Sequence, residues 1–128
     1  MLIRLGVAPG GAALLTVRGR RTGRPRSTPV NPVAYAGETW LVAPYGAVGW
    51  VRNVRASGDV ALSRGRHVQS YRAVEVTDEQ AAPVLRLYLG RIRVARPYFD
   101  VTRESSLEAF AAEANRHPVF HLEPTEPA

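Results

Sequence analysis

The segment LLTVRGRRTGRPRSTPVNPV, residues 14–33, combines two strand-like runs with the densest charge in the chain. The first run is apolar and β-branched, whereas the second alternates but contains Pro29 and Pro32. Because proline lacks a backbone N–H, the second run is predicted to be an edge strand or a bulged strand. The eight residues GRRTGRPR, residues 19–26, join the two runs, so the segment predicts two strands connected by an arginine-rich turn.

Further strands follow with only short turns between them. Ala36 and Gly37 turn the chain into the strand ETWLVAP. VALSRGRHVQSYRAVEV predicts a hairpin with its turn at residues 64–66, and HPVFHLEP predicts a closing strand. The second hairpin strand alternates, with one side carrying Val68, Ser70, Arg72, Val74 and Val76. Strands in such quick succession favour an antiparallel meander over alternating βαβ units.

Helices are predicted from apolar spacing and from capping residues. A short helix containing Trp50 is expected to stop at Gly58. TDEQ, residues 77–80, has the pattern of a capping box and predicts a second helix start. Ser105 with Glu108 has the same pattern and predicts the start of a third helix. The apolar stripe of the second helix comprises Ala81, Val84, Leu85, Tyr88 and Ile92.

These elements add up to a sheet of about five or six strands with two or three helices, which is an α+β fold or a small barrel. The 128 residues suit a single domain, 1–128, with a loose tail over 123–128. The chain has no cysteine and no long apolar stretch, so we expect a cytoplasmic protein without a membrane anchor.

Hydrolytic and metal-dependent chemistry find little support in the sequence. There is no cysteine nucleophile, no G-x-S-x-G motif and no P-loop. His67, His117 and His121 do not form a metal-ligand pattern, because Pro118 interrupts the helix that would align the last two. We therefore expect these histidines at the surface or at strand ends, and no bound metal. An enzyme with so few acid–base groups would need a cofactor to supply the chemistry.

The arginine-rich turn raises a separate question. The net charge is +6, and all 17 basic residues are arginines. If Thr22 and Gly23 form a two-residue hairpin turn, Arg21 and Arg24 face each other across the strands. Like charges in that position are destabilising unless an anion lies between them. The turn is thus either a small phosphate site or a solvated basic loop.

Nucleic acid is the obvious alternative ligand for a basic, β-rich domain. Proteins that bind single strands usually interleave basic and aromatic residues on one sheet face. Here Tyr35, Trp40, Tyr45 and Trp50 all lie downstream of the arginine-rich turn, in segments poor in basic residues. This separation indicates one bounded ligand with an anionic end and a ring end, and it makes a nucleic-acid partner less favoured.

Two motifs, in this order and at this spacing, carry a family resemblance. G-[RK]-[RK]-[ST]-G-x-x-R is present at residues 19–26, and W-x-x-N at residues 50–53. With the strand WLVAPYG between them, the chain resembles the deazaflavin (F420)-dependent nitroreductase family of split β-barrel flavin/deazaflavin oxidoreductases, which are common in actinobacteria. The resemblance is strong from residue 14 to about residue 76 and looser through to HPVFHLEP.

The resemblance implies a split β-barrel of about six mainly antiparallel strands with two or three helices, and coenzyme F420 as cofactor. It implies hydride transfer from the reduced deazaflavin to a small-molecule electron acceptor, namely a quinone, a nitroaromatic or an enone-type compound. The basic turn would hold the phosphate of the cofactor tail, and the segment leading to the Trp50 helix would lie against the ring. The implied cofactor-binding residues are Arg20, Arg21, Thr22, Arg26, Ser27, Thr28, Pro29, Val30, Asn31, Ala43, Pro44, Tyr45, Trp50 and Asn53.

Tyr88 and Tyr98 are the tyrosines that the resemblance places near the acceptor. Tyr88 also belongs to the apolar stripe of its helix, so packing explains it equally well. Trp50 and Asn53 share a helix face, where Trp50 could instead be a core residue. Three other functions stay open: an FMN-binding oxidoreductase of the same fold, a deazaflavin carrier without turnover, and a basic nucleic-acid-binding barrel. The oligomeric state is not predicted.

Overall fold

The computed structural model of the protein describes residues 11–125. Over this range seven strands form one antiparallel sheet with the order β2-β1-β5-β6-β7-β4-β3. The strands are β1 (Ala13–Arg18), β2 (Pro25–Val30), β3 (Val33–Tyr35), β4 (Glu38–Val42), β5 (Asp59–Arg64), β6 (His67–Glu75) and β7 (Val119–Pro124).

The run RSTPVNPVAY, predicted as one edge or bulged strand, forms two strands at opposite edges of the sheet. β2 ends at Val30, β3 begins at Val33, and the two residues between them, Asn31 and Pro32, carry the chain across. Pro29 lies in β2, so its missing N–H falls on an edge strand as predicted. This split accounts for seven strands where about six were expected.

Three α-helices accompany the sheet in the described part of the chain: α1 (Gly49–Ser57), α2 (Asp78–Arg91) and α3 (Leu107–Glu113). Two 3₁₀ segments, Arg93–Tyr98 and Ala114–Arg116, follow α2 and α3. α1 ends at Gly58, as predicted. The capping box at α2 is confirmed, since Gln80 N donates to Thr77 Oγ1 at 3.2 Å and Thr77 N donates to Gln80 Oε1 at 3.1 Å.

The predicted start of α3 is wrong by one residue. Ser106 is the N-cap, and its Oγ accepts from Ala109 N at 3.1 Å. Ser105 Oγ instead accepts from Thr102 N at 2.9 Å in the preceding turn. Both serines satisfy a backbone donor, so the sequence pattern alone does not decide which of them caps the helix.

The core has two parts. One lies between the curled sheet and α1 and includes Leu15, Leu62 and Phe120. In the other, α2 packs against β3, β4 and the start of β7, and α3 packs against α2. This part includes Val42 and Phe110. The predicted stripe of α2 is buried in this second part, with Ile92 only partly covered.

Strand β6 buries the face opposite to its valine-rich one. Gln69 and Tyr71 point into the protein, whereas Val68 and Val74 are exposed. The register explains this choice, because Gln69 pairs with the fully buried Leu62 of β5. A strand cannot turn one residue outward without turning its whole face.

The chain ends are partly described. β7 runs to Pro124 and Thr125 N donates to Ser70 O at 3.1 Å, so the predicted loose tail from residue 123 begins too early. Residues 126–128, and residues 1–10 where no membrane anchor was expected, lie outside the described range. No helix within residues 11–125 combines the length and the apolar character needed to cross a membrane.

Candidate cofactor and acceptor site

The arginine-rich turn is a six-residue loop. Strand pairing ends with Arg18 opposite Pro25, and Gly19 N then donates to Arg24 O at 2.7 Å. Gly23 N donates back to Gly19 O at 2.9 Å, which closes a second turn inside the loop. The predicted two-residue turn, with Arg21 facing Arg24, is therefore wrong.

Two glycines permit this loop geometry. A Cβ on Gly19 would lie 3.1 Å from Arg24 O, which is too close for an ordinary contact. Gly23 has φ +75°, a left-handed conformation that side chains other than that of glycine rarely adopt. The motif positions occupied by glycine thus have a structural reason independent of any ligand.

Helix α1 fixes the loop from behind. Asn53, 8% exposed, points its Oδ1 at Arg20. That oxygen accepts from Arg20 N at 3.1 Å and from Arg20 Nη1 at 2.8 Å, and the same Nη1 lies 3.4 Å from Gly49 O. The two motifs that the sequence separates by about thirty residues are thereby joined through Arg20 and Asn53.

A cavity of about 320 Å³ opens between the loop and the start of α1. It carries three arginine side chains and contains no acidic residue. Within residues 11–125, no carboxylate lies within ion-pair distance of the three cavity arginines Arg20, Arg21 and Arg26. The lining residues are Gly19, Arg20, Arg21, Thr22, Arg26, Ser27, Gly49 and Asn53.

The start of α1 adds to the positive potential of this cavity. Gly49 is the first residue of the helix, no side chain caps the helix there, and its first turn has no acidic residue. The N-terminal end of a helix carries a partial positive charge. The loop and the helix together therefore favour an anionic group.

Of the predicted cofactor residues from Ser27 to Asn31, only Ser27 lines the cavity. Ser27 lines it and shares a hydrogen bond of 2.8 Å with Thr16, whereas the next four residues continue along the strand and the following turn. Val30 is buried in the first core part. Thr28 and Asn31 are half-buried, and Pro29 is exposed.

The segment between β4 and α1, together with the start of α1, contributes aromatic side chains beside the cavity. Ala43 is buried in the core, Pro44 is half-buried and Tyr45 is 55% exposed. Trp50 is half-buried and packs against Phe120, with ring centroids 6.2 Å apart. Trp50 is thus partly a core residue, and it retains an accessible portion beside the cavity residue Gly49.

The two candidate tyrosines differ sharply in accessibility. Tyr88 is 3% exposed and lies in the second core part. Burial, with a contribution from nearby Tyr45, raises the pKa of the Tyr88 hydroxyl to about 12. Tyr98, at the end of a 3₁₀ segment, is 56% exposed and packs edge-to-face on Tyr45 with ring centroids 4.5 Å apart.

One buried polar pair escaped the sequence-based prediction. His117 was expected at the surface or at a strand end, but it is 2% exposed and its Nε2 lies 2.7 Å from Oε2 of Glu113, itself 5% exposed. The expectation for His117 is therefore wrong. The i, i+4 spacing of Glu113 and His117 at the end of a predicted helix is the signal that could have revealed the pair.

The fold is that of the split β-barrel oxidoreductases. A structure titled F420-H2 dependent reductase (FDR-A) is 22% identical, with 94% of this chain and 100% of that chain covered and a TM-score of 0.61. A structure described as a domain-swapped dimer is 23% identical, covers 93% and 84%, and has a TM-score of 0.65. A NimC/NimA family protein from Clostridium acetobutylicum is 13% identical, covers 88% and 73%, and has a TM-score of 0.61.

Residues 4–105 match the family model of F420H2-dependent quinone reductase. The chain belongs to this family, so it is an F420H2-dependent oxidoreductase and coenzyme F420 is its cofactor. The resemblance drawn from residues 19–26 and 50–53 is confirmed. No curated protein gives a significant sequence match.

Proposed function

We propose that the protein reduces a quinone with a hydride from reduced F420, and that nitroaromatic and enone-type compounds serve as further acceptors. The observation that carries the cofactor side of this proposal is the cavity with three arginines and no acidic residue. The family match supports a quinone as the acceptor.

The residues of the cavity fit the phosphate and carboxylate groups of the cofactor tail. Arginine offers a planar fork of donors that matches both groups. Arg21 and Arg26 have no carboxylate partner in residues 11–125, so both are available for a ligand. Arg20 is already oriented by Asn53, and Thr22 and Ser27 add hydroxyl groups.

The ring end of the site lies toward Trp50 and Tyr45 in this proposal. Tyr45 precedes the cavity residue Gly49 by four positions, which an extended chain spans in at most about 14 Å. The cavity and the Tyr45–Tyr98 pair are therefore within reach of one elongated ligand. The half-buried and exposed residues of the segment that precedes α1, including Pro44, supply the surface for the ring.

Bound F420 in its reduced form supplies the hydride. The chain's own part is to bind, to orient and to present a flat acceptor, which is most of what such a transfer requires. Of the two candidate tyrosines, we assign the acceptor contact to Tyr98, because Tyr88 is covered by the core. The exposed rings of Tyr45 and Tyr98 suit planar, electron-poor compounds.

We also infer that residues 1–128 act as one cofactor-binding domain in the cytoplasm. A chain without cysteine suits a reducing compartment, and both parts of the core are built on one sheet. Fractionation of cells that express the tagged protein tests the location.

Two measurements test the proposed function. Purified protein is titrated with oxidised F420 and with FMN while ligand fluorescence is followed, and we expect micromolar binding of F420 and weaker binding of FMN. Turnover is then measured with reduced F420 and menadione by the return of the oxidised cofactor's absorbance. Binding of neither cofactor at moderate salt, or binding without turnover of any quinone, would overturn the proposal.

An oligonucleotide titration serves as the control for the basic surface. Non-specific binding of nucleic acid weakens steeply with salt because counterions are released. We expect F420 to compete for the arginine cavity and oligonucleotides to bind only at low salt. Oligonucleotide binding that persists at physiological salt and excludes F420 would favour the nucleic-acid function instead.

A further inference from the structure

The buried pair Glu113–His117 has a defined proton arrangement. His117 Nδ1 lies 2.9 Å from Pro44 O, a carbonyl that can only accept, so Nδ1 carries a hydrogen. On the other side, Nε2 and Glu113 Oε2 are 2.7 Å apart, so one proton lies between them. Both ring nitrogens are therefore hydrogen-bonded, as burial of a polar side chain demands.

Glu113 makes a second set of contacts, to the backbone after the 3₁₀ segment Arg93–Tyr98. Its carboxylate accepts from Asp100 N at 3.0 Å and from Val101 N at 3.1 Å. A carboxylate that accepts backbone N–H groups forms strong, directional hydrogen bonds. The pair thus binds Pro44 through His117 and the segment at Asp100 through Glu113.

Stacking adds to the rigidity of this arrangement. The ring of Phe99 lies on the imidazole of His117, with centroids 3.7 Å apart and planes 12° from parallel. Phe99 is the residue next to Tyr98, and Pro44 is the residue next to Tyr45. The buried pair therefore holds the immediate neighbours of both exposed tyrosines.

We propose that Glu113 and His117 are a positioning pair for the acceptor side of the site: from inside the protein they set the edge-to-face contact between Tyr45 and Tyr98. Neither residue touches a ligand in this arrangement, because both are buried beneath the segments they hold. The inference rests on the proposed function for its effect on catalysis, while its structural part stands on the contacts of the described residues.

The first test is structural and needs no cofactor. In wild-type protein we expect nuclear Overhauser contacts between the ring protons of Tyr45 and Tyr98, observed with labelled tyrosine. His117→Phe keeps a ring for Phe99 to stack on but removes both hydrogen bonds, and the contacts should be lost. Glu113→Gln can accept from the same backbone N–H groups and donate to His117 Nε2, so it should retain them.

The second test separates positioning from general destabilisation. We expect His117→Phe to raise the KM for menadione roughly tenfold, with a smaller effect on kcat. The Kd for F420 should rise by much less than tenfold, because the arginine cavity that holds the cofactor tail is not altered. Glu113→Gln should keep the KM near the wild-type value. A structural defect alone would instead lower the fraction of active protein and leave KM unchanged.

His121 offers a matched control. It also pairs with carboxylates, those of Glu38 and Glu123, and its ring packs on Trp40 at a centroid distance of 4.8 Å. His121→Phe removes the contacts of a β7 histidine with carboxylates. It does not alter the segments that carry Tyr45 and Tyr98. We expect it to leave both the tyrosine contacts and the KM for menadione as in the wild type.

Two outcomes would overturn the positioning role: retained Tyr45–Tyr98 contacts in folded His117→Phe, or lost contacts with an unchanged KM. Should His117→Phe not fold, His117→Gln replaces it, keeps one of the two hydrogen bonds, and should give a smaller shift in the same direction. If the wild type turns over no quinone, the proposed function fails while the structural test still decides what the pair does to the two rings.

Discussion

Asn53 accepts two hydrogen bonds from one residue, Arg20, through a single oxygen: one from the backbone N–H at 3.1 Å and one from Nη1 at 2.8 Å. A buried amide thus fixes both the backbone of the arginine loop and the direction of one guanidinium group. A side chain that is already ordered loses less entropy on binding a ligand. Helix α1 therefore prepares the loop for an anion before the anion arrives.

Replacing the amide tests this role. Asn53→Ala leaves the partly buried N–H of Arg20 without its acceptor, so we expect the free energy of unfolding to fall by about 1–3 kcal/mol. The affinity for F420 should fall as well, because Arg20 loses its fixed direction. Denaturant titration and fluorescence titration of the same preparations measure both effects.

Asn53→Asp is the matched variant. The carboxylate can still accept both hydrogen bonds from Arg20, so stability should stay near that of the wild type. It also places a negative charge in a cavity built from arginines, so the affinity for F420 should fall nonetheless. Unchanged affinity in Asn53→Asp would contradict an anionic ligand in this cavity.

Arg21 and Arg24 form a second matched pair within the same loop. Arg21 lines the cavity, whereas Arg24 does not. We expect Arg21→Ala to weaken F420 binding by about 1.5–3 kcal/mol, the scale of a charge-assisted hydrogen bond. Arg24→Ala should have a much smaller effect. Equal losses in the two variants would mean that only the overall charge of the loop matters.

Ionisation of Tyr88 makes the free energy of unfolding depend on pH at high pH. Its hydroxyl has a folded-state pKa of about 12, above the ordinary value of 10.0, so folding favours the neutral phenol. This stabilisation is fully present below pH 10 and is lost as the pH rises through 12, at most on the order of 3 kcal/mol. Denaturant titrations at pH 9, 11 and 12 should show a smaller decline in Tyr88→Phe than in the wild type.

The same variant reports on catalysis. Because Tyr88 is covered by the core, Tyr88→Phe should turn over menadione at nearly the wild-type rate. Tyr98→Phe removes a hydroxyl from an exposed ring and is the matched comparison variant. A large loss of kcat in Tyr88→Phe would instead show that the Tyr88 hydroxyl takes part in the reaction.

Gly23 and Gly65 allow backbone strain to be separated from binding. Both have positive φ, +75° and +56°, and a Cβ would meet little at either position. We expect Gly23→Ala and Gly65→Ala to lower the free energy of unfolding by about 1–2 kcal/mol each. Only Gly23→Ala should also weaken F420 binding, because Gly65 lies in the β5–β6 turn away from the arginine loop. If both variants lose the same affinity for F420, the conformation of the arginine loop is not what determines binding.

Features governed by local rules were predictable from the sequence. Thr77 and Gln80 form the expected capping box, Gly58 ends α1, and Pro29 lies on an edge strand. In each case the decisive physics lies within a few residues: a side chain satisfies a nearby N–H, or a missing N–H restricts a strand position. The two family motifs were informative because they contain Arg20 and Asn53, whose hydrogen bonds join the arginine loop to α1.

Features governed by tertiary contacts were not predictable. The conformation of the arginine loop depends on the side-chain amide of Asn53 in α1, which accepts from Arg20. It also depends on the backbone hydrogen bonds of Gly19 and Gly23, which make a six-residue loop in place of the predicted two-residue turn. The buried state of His117 depends on Glu113 and on Pro44, a residue far away in the sequence. Such partners become visible only once the sheet brings β4 beside β7.

The two outermost strands also determine how the sheet meets other chains. An exposed strand edge is a template on which another chain can add and aggregate. One outer strand, β2, begins with Pro25 and carries Pro29, and the other, β3, is only three residues long. Within residues 11–125, each edge of the sheet is therefore a poor template for strand addition, including the β2 edge beside the arginine loop.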